Sequence, residues 1–360
     1  MAINYTDLAQ DLIAWFQLHA RDLPWRHDRT PYRVWLAEVM LQQTRVETVI
    51  SYHAEFLERF PTLQSLAASS LEDVLRVWEG LGYYARARNL HAAARQVVER
   101  YEGQLPDAFE ELIALPGLGP YTDGAVASIA FDAPVIALDG NARRVLSRLF
   151  TVAGDPRRAA TRKELESRAR ACLPPDRPGL FNEALIELGA TVCHPRNPEC
   201  DRCPLADTCQ AHAQGKEEAF PERAPRRAVP HYDVTAAVLI RDGKVLLAQR
   251  EQDDFLGGLW DFPGGKQEDG EDLVQCLQRE MEEELGIEVA VGERLLHLDH
   301  AYTHFRITLH AFRCELVRGV PQCLECADVR WVEPADLGDL PMSVADRRIA
   351  DWIQSKRITL

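Results

Sequence analysis

No stretch of this 360-residue chain is apolar for anything near the ~18 residues of a membrane span, and its start, MAINYTDLAQDLIAWF, is acidic and amphipathic without a basic leader. These absences predict a cytoplasmic protein with no membrane partner. Internal repeats and low-complexity tracts are also missing, which excludes a solenoid or a largely disordered chain. Basic charge is scarce: 41 Lys and Arg stand against 56 Asp and Glu, a net charge of −15. Affinity for phosphates normally asks for the reverse. The deficit lies mainly after residue 210, however, and arginines cluster at Arg86 and Arg88, at Arg143, Arg144 and Arg148, and at Arg157, Arg158 and Arg162. A basic face on an acidic body fits that distribution. Nine cysteines, four of them crowded between Cys193 and Cys209, suit a reducing compartment and a metal site better than a secreted disulfide framework.

With 46% hydrophobic residues the chain can fill two cores. No strand signal appears before residue 211. Helical spacing recurs over 5–20, 33–51, 52–60, 71–79, 86–101, 107–115, 121–131, 141–150, 161–172 and 180–190, which predicts an all-α domain over 1–210. Residues 211–231 mix charge, Ala and Pro without periodicity and read as a linker. From 232 to 360 the pattern becomes α/β: a strand at 234–240, an Asp242-Gly243 turn, a return strand at 245–248, a helix over 271–285, and strands at 288–291, 303–312 and 329–332.

The segment LIALPGLGPYTDGAVASIAFDAPVIALDGN, residues 112–141, holds the centre of the functional reading. A helix ends, Pro116-Gly117-Leu118-Gly119-Pro120 breaks it, and a helix rich in small residues restarts at Tyr121. Gly117 and Gly119 permit unusual dihedrals and a close approach of backbone N–H groups to a phosphate. By itself LPGLG is equally a glycine loop between packed helices, and Asp139, in ALDGN, is equally a turn residue or an N-cap. Together, LPGLGPYT and an aspartate about twenty residues later resemble the helix-hairpin-helix DNA glycosylases, and the rest of the chain narrows the resemblance to MutY-type adenine DNA glycosylases, over nearly all its length.

Releasing a base from DNA requires protonation of the leaving base and stabilisation of an oxocarbenium-like sugar, the two-carboxylate logic of glycoside hydrolysis. Glu38 lies in the apolar setting of WLAEVMLQQTRV, which favours the protonated form of an acid. On spacing alone it is an ordinary helix glutamate. The resemblance implies that Glu38 protonates adenine and assists the attacking water, that Asp139 stabilises or captures the sugar cation, and that Asn141 and Tyr121 support them. Tyr121 stands where lyase relatives carry a Schiff-base lysine, so a monofunctional glycosylase is implied. The resemblance also implies an adenine pocket of Trp25, Arg26, Leu41 and Glu183, and DNA contacts at Gln42, Gln43, Tyr83, Gly117 and Gly119. Pro120 and Asp123 depart from the family, which usually has a basic or polar residue and a small one there, and this puts the strength of the hairpin's phosphate contact in doubt.

Cys193, Cys200, Cys203 and Cys209 are separated by six, two and five residues. Four such thiolates suit Zn²⁺ or an iron–sulfur cluster. The spacing resembles the iron–sulfur loop of endonuclease III and MutY relatives, which implies [4Fe–4S]. Cys323 and Cys326 form a lone pair without partners.

GGKQEDGEDLVQCLQREMEEELGI fits the whole Nudix pattern, with Gly265, Glu271, Arg279, Glu280, Glu283, Glu284 and Gly286 in place. Glu280, Glu283 and Glu284 share a helix face, where their mutual repulsion would be relieved by a hard cation such as Mg²⁺. MutY relatives mostly lack these glutamates and use the fold to read 8-oxoguanine. Tyr302, Thr303 and His304 match their reading loop. The expected function is removal of adenine opposite 8-oxoguanine or guanine by a monomer on double-stranded DNA. An endonuclease III-type lyase, a nucleotide pyrophosphohydrolase and a non-catalytic iron–sulfur DNA-binding protein are the alternatives.

Overall fold

The structure, a computed structural model, describes residues 4–119, 122–222 and 228–356. They fall into two compact units, one drawn from 1–67 with 92–226 and the other from 68–91 with 227–360. In chain order the helices are α1 (Tyr5–His19), α2 (Pro24–His27), α3 (Pro31–Leu41), α4 (Val46–Arg59), α5 (Leu63–Ala68), α6 (Leu71–Val77), α7 (Ala85–Arg100), α8 (Phe109–Leu112), α9 (Thr122–Phe131), α10 (Gly140–Leu149), α11 (Ala159–Cys172), α12 (Pro178–Thr191) and α13 (Gln210–Ala213). There follow β1 (His231–Arg241), β2 (Lys244–Gln249), β3 (Trp260–Asp261), α14 (Leu273–Leu285), β4 (Glu288–Ala301), β5 (Arg306–Arg318), β6 (Asp328–Val332) and α15 (Val344–Lys356). Among the described residues no helix is long and apolar enough to cross a membrane.

The expected all-α region followed by α/β is met, with shifted boundaries. The helices expected at 33–51 and 52–60 are α3 and α4, because the chain turns at 42–45, where Gln43 takes φ 58. Few residues with a β-carbon adopt that left-handed conformation without a constraint from their surroundings.

In the first unit α12 is the element on which others converge, packing against α1, α9 and α10. Leu12, Leu146, Phe181, Leu185 and Leu188 are fully buried in that core, and each contributes roughly 1.5–3 kcal/mol by leaving water. Two glycines set the spacing. A Cβ at Gly179 would meet the Ser128 carbonyl oxygen at 2.3 Å, and one at Gly189 would meet Asn141 Cβ at 2.6 Å. Gly189→Ala is therefore expected to cost about 1–3 kcal/mol by overpacking, seen as a lower denaturant midpoint at unchanged slope.

The second unit is a mixed sheet in the order β3-β2-β1-β5-β4, with β6 also on β2; β1 and β5 run parallel. Strand alternation sends Ala236, Val238, Val245 and Leu247 to the face shared with Ile349 and Ile353 of α15. Ala237, Leu239 and Leu246 face Leu277, Met281 and Leu285 of α14. The strands expected at 288–291 and 303–312 are the longer β4 and β5, and α15, absent from the expected pattern, closes one face. The 68–91 segment belongs to this unit. Glu79 pairs with Arg347 (2.5 and 2.9 Å), Tyr84 Oη donates to the Met342 carbonyl (3.2 Å), and Arg88 Nη1 donates to the Gly257 carbonyl (2.8 Å).

Candidate active site

The first unit contains a cleft of about 1550 Å³. Its wall includes Trp25, Arg26, Glu38, Leu41, Gln42 and Gln43 from α2, α3 and the turn after it, Gly117 and Gly119 from the hairpin, Asp139 and Asn141 at the start of α10, and Glu183 from α12. Tyr121 and Pro120 lie outside the described residues.

Glu38 is 7% exposed. It is carried by α3, a helix started by the Thr30 cap and Pro31, whose residues from Val34 to Met40 are all buried. Asp139 caps α10: its Oδ1 accepts the Ala142 N–H at 2.6 Å, and its Oδ2 accepts Asn141 Nδ2 at 2.9 Å. Burial lifts the Asp139 pKa above its ordinary value, and these bonds together with the nearby Arg144 charge offset only part of the rise. Asn141 is held in turn, since its Oδ1 accepts Arg144 Nη2 at 2.8 Å. Arg144 also donates to the carbonyls of Gly189 (2.7 Å) and Cys193 (2.8 Å).

The extended run leading to Asp139 is pinned by Asn182 on α12, a fully buried residue that periodicity does not reveal. Its Oδ1 accepts the Ala137 N–H (3.1 Å), and its Nδ2 donates to the Val135 carbonyl (2.9 Å) and Ser128 Oγ (2.8 Å). Gly124 lets this run lie against α9, where a Cβ would meet the Ile136 carbonyl oxygen at 2.2 Å.

Arg26 and Glu183 meet at 3.4 Å, and the structure adds three residues to them. Arg29 reaches Glu183 at 2.6 Å. Glu187, fully buried, accepts Arg21 Nε (2.8 Å) and Nη2 (2.9 Å) and Arg26 Nη2 (3.0 Å). The signal was present as three arginines in RDLPWRHDR and as glutamates four apart on one helix face. Burial works against ionising Glu187, but the arginine bonds prevail and lower its pKa to about 2 from 4.5. A carboxylate with a depressed pKa adds stability that is complete above pH 4.5 and lost as pH falls toward 2. Glu187→Gln is expected to lower stability at pH 7 by about 1.5–3 kcal/mol, since it removes the charged acceptor shared by the half-buried Arg21 and Arg26. Urea unfolding should show that difference shrinking as the pH drops through this window.

Gln42 Nε2 donates to Thr122 Oγ1 at 2.6 Å, which ties the turn after α3 to α9; Gln43 is exposed. Gly117 adopts φ 77.

The four cysteines lie at the other end of α10 from Asp139. Arg148 donates to Cys193 Sγ (3.2 Å) and to the carbonyls of His194 (2.6 Å) and Pro195 (3.1 Å). Burial pushes the Cys203 thiol up to about 12 and the Cys200 thiol up to about 11, and the other cysteine sulfurs close by add to both. Four sulfurs that crowd one another and favour protonation when bare fit a metal–sulfur centre, whose metal takes up the thiolates. His212 and Glu217 also stand within 4.8 Å of Cys200.

In the second unit, Tyr83 takes φ 51 and its hydroxyl bonds Thr303 Oγ1. Tyr302 packs among His300, Phe305 and Phe255, with ring centroids 4.6, 4.9 and 5.2 Å away, while Thr303 and His304 are exposed in the turn between β4 and β5. Arg279 pairs with Glu271 (2.8 Å), Glu280 (2.9 Å) and Glu283 (2.8 Å). Burial raises the Glu284 pKa to about 8, and Asp261 adds to the effect. Gly265 leaves room for Glu280, whose carboxyl a Cβ there would meet at 2.3 Å.

Residues 36–171 match the HhH-GPD superfamily of base excision DNA repair proteins, 193–209 match the iron–sulfur binding domain of endonuclease III, and 235–352 match the NUDIX domain. The 193–209 loop is thus an iron–sulfur binding loop. The adenine DNA glycosylase of Rattus norvegicus is 34% identical over 96% of this chain and 78% of its own length, and that of Homo sapiens is 34% identical over 94% and 72%. The solved structure of a thermostable thymine-DNA glycosylase is similar to 58% of this chain over 96% of its own, with 27% identity and a TM-score of 0.53. With two carboxylates on one cleft, an iron–sulfur loop in the same unit and relatives that match over nearly all of this chain, the chain belongs to the adenine DNA glycosylase family of base excision repair enzymes.

Proposed function

We propose that this enzyme hydrolyses the N-glycosidic bond of adenine opposite 8-oxoguanine or guanine in double-stranded DNA, as a monofunctional glycosylase and as a monomer in a reducing, DNA-containing compartment such as the bacterial cytoplasm. The observation that carries the reading is a single cleft lined by Glu38, Asp139 and the Arg26–Glu183 pair. Adenine flipped out of the stack packs between Trp25 and Leu41, and Arg26 and Glu183 read its polar edge. Glu38 delivers a proton to the departing base and then assists the water that adds to the sugar carbon. Asp139, ionised and oriented by Asn141, stabilises the positive sugar. Gln42, Gln43 and Tyr83 fill the space the base vacates, and Gly117 and Gly119 seat a backbone phosphate. Tyr302, Thr303 and His304 read the opposing 8-oxoguanine. Tyr121 offers a phenol rather than an amine, so no Schiff base forms and the strand stays intact.

The four cysteines hold a [4Fe–4S] cluster, which braces the 193–209 loop rather than taking part in the cleavage. The test is a labelled duplex with adenine opposite 8-oxoguanine, treated with or without alkali after incubation. Alkali-dependent breaks support the reading; breaks without alkali point to a lyase, and unreacted adenine removes it.

A second activity has its own observation, the complete set of Glu280, Glu283 and Glu284 on α14, with Glu280 against Gly265 and Glu284 accepting the Gly264 N–H. These carboxylates would hold Mg²⁺, and the ion would supply charge neutralisation for the diphosphate of an oxidised nucleoside triphosphate undergoing hydrolysis. Phosphate or pyrophosphate release that needs Mg²⁺ and is lost in Glu283→Gln supports it. Absence of release leaves the box as a reader's scaffold.

A further inference from the structure

The wall of the glycosylase cleft is acidic around the reaction centre. Glu38, Asp123, Asp139, Glu183 and Glu187 all line it, and the arginines beside them are committed to the last two: Arg26 meets both, and Arg21 meets Glu187. A phosphodiester strand brought to such a wall is repelled unless cations stand close by. They stand on α11.

The α11 residues on the cleft wall are Ala159, Arg162, Lys163, Glu166 and Arg170. That spacing puts them on one face of the helix, and all but Glu166 are exposed. Among the described residues the side chains of Arg162, Lys163 and Arg170 make no ion pair and no hydrogen bond. Glu166 follows Arg162 by four residues and Lys163 by three and precedes Arg170 by four, the separations at which opposite charges pair on a helix, and it pairs with none of them. Arg157 and Arg168, which lie off this wall, differ: the first holds Asp155 at 2.5 Å and the second Glu164 at 2.8 Å. The uncommitted cations are thus the ones that face the cleft.

The row continues toward the reaction centre on α10, which packs against α11. Arg143 stands one turn along α10 from Asp139 and lines the same wall, and its Nε has no hydrogen-bond partner among the described residues. From Arg162 to Arg170 the helix rises about 12 Å, the reach of about three phosphates of one strand.

We propose that this face of α11 is a phosphate track: Arg162, Lys163 and Arg170, continued by Arg143, hold the backbone of the strand that carries the extruded adenine where it leaves the reaction centre. The inference rests on the DNA-binding reading above. It explains how a chain of net charge −15 keeps DNA against a wall of carboxylates.

The experiment is fluorescence anisotropy of the whole chain on an uncleavable duplex, with a tetrahydrofuran abasic analogue in place of adenine opposite 8-oxoguanine, over a series of salt concentrations. Lys163→Gln/Arg170→Gln is compared with wild type and with Arg157→Gln/Arg168→Gln, which removes the same charge away from the cleft. Each cation that neutralises a phosphate adds about 0.9 to the slope of log affinity against log salt, so the cleft variant should lose about 1.8 and the control should keep the wild-type slope. The single variants Lys163→Gln and Arg170→Gln, each expected to lose about 0.9, carry the test if the double variant melts early. Neutral methylphosphonates, placed one at a time along the tetrahydrofuran strand, should weaken wild type at a position where they leave the cleft variant unaffected. An unchanged slope in the cleft variant overturns the proposal. So does an equal loss in the control, which would make the effect one of net charge, and so does a methylphosphonate penalty that is the same in both proteins. If wild type binds the duplex at no salt concentration, the DNA-binding reading itself fails, and this inference with it.

Discussion

Asp139→Asn should lower the single-turnover rate of adenine release by about three orders of magnitude while duplex affinity stays within about twofold. The amide oxygen can still accept the Ala142 N–H that caps α10. What disappears is the negative charge facing the sugar as the bond to adenine breaks, which is needed in the transition state and not in the bound ground state. A wild-type pH profile adds a second signature. Burial lifts the Asp139 pKa above its ordinary 3.8, so the acid limb of the rate should lie above that value and vanish from the variant's residual activity. Loss of less than about tenfold, measured with enzyme in excess, removes Asp139 from the mechanism.

Cys203→Ser should produce the largest structural failure. Cys203 packs against the core of the first unit, and its thiol is held far from ionisation until a metal takes it. Without that ligand the cluster is expected to be lost, and with it binding energy on the order of 10 kcal/mol that belongs to folding. Iron and sulfide content should drop well below wild type, and the cooperative melt of the first unit should broaden or disappear. Activity should follow, because the Cys193 carbonyl anchors Arg144, Arg144 holds Asn141, and Asn141 orients Asp139. Full iron content with an unchanged melt would show that the loop stands without this sulfur.

What the sequence made legible was whatever is local. The cysteine spacing, the Nudix pattern, the glycine hairpin and the switch from helical to alternating periodicity are short-range features, and the two kinds of domain follow from them. Glu38 and Asp139 were marked by their motifs and line one cleft. The residues that brace the cleft are not legible in the sequence because their partners are distant. Asn182 grips a run some 45 residues before it, and Arg21 meets Glu187 across a separation of 166. Neither position stands out from its own neighbourhood. The break after α3 escaped for another reason. Leu41 to Arg45 suits a continuing helix, yet Gln43 takes a left-handed backbone, a local preference overridden at the edge of the cleft.

The membership of 68–91 in the second unit bears on how the molecule comes into being. Leu75 and Tyr84 leave the ribosome early but pack against residues that arrive after 227, Gly258 and Met342. The nascent chain must carry this apolar segment uncovered through most of its synthesis, an interval in which such surfaces invite aggregation. For the same reason, a stop codon in the linker is not expected to release a self-sufficient glycosylase. It leaves one compact unit bearing an orphaned fragment of the other, and exchanging the Nudix-like part between relatives requires transplanting two separate pieces of chain.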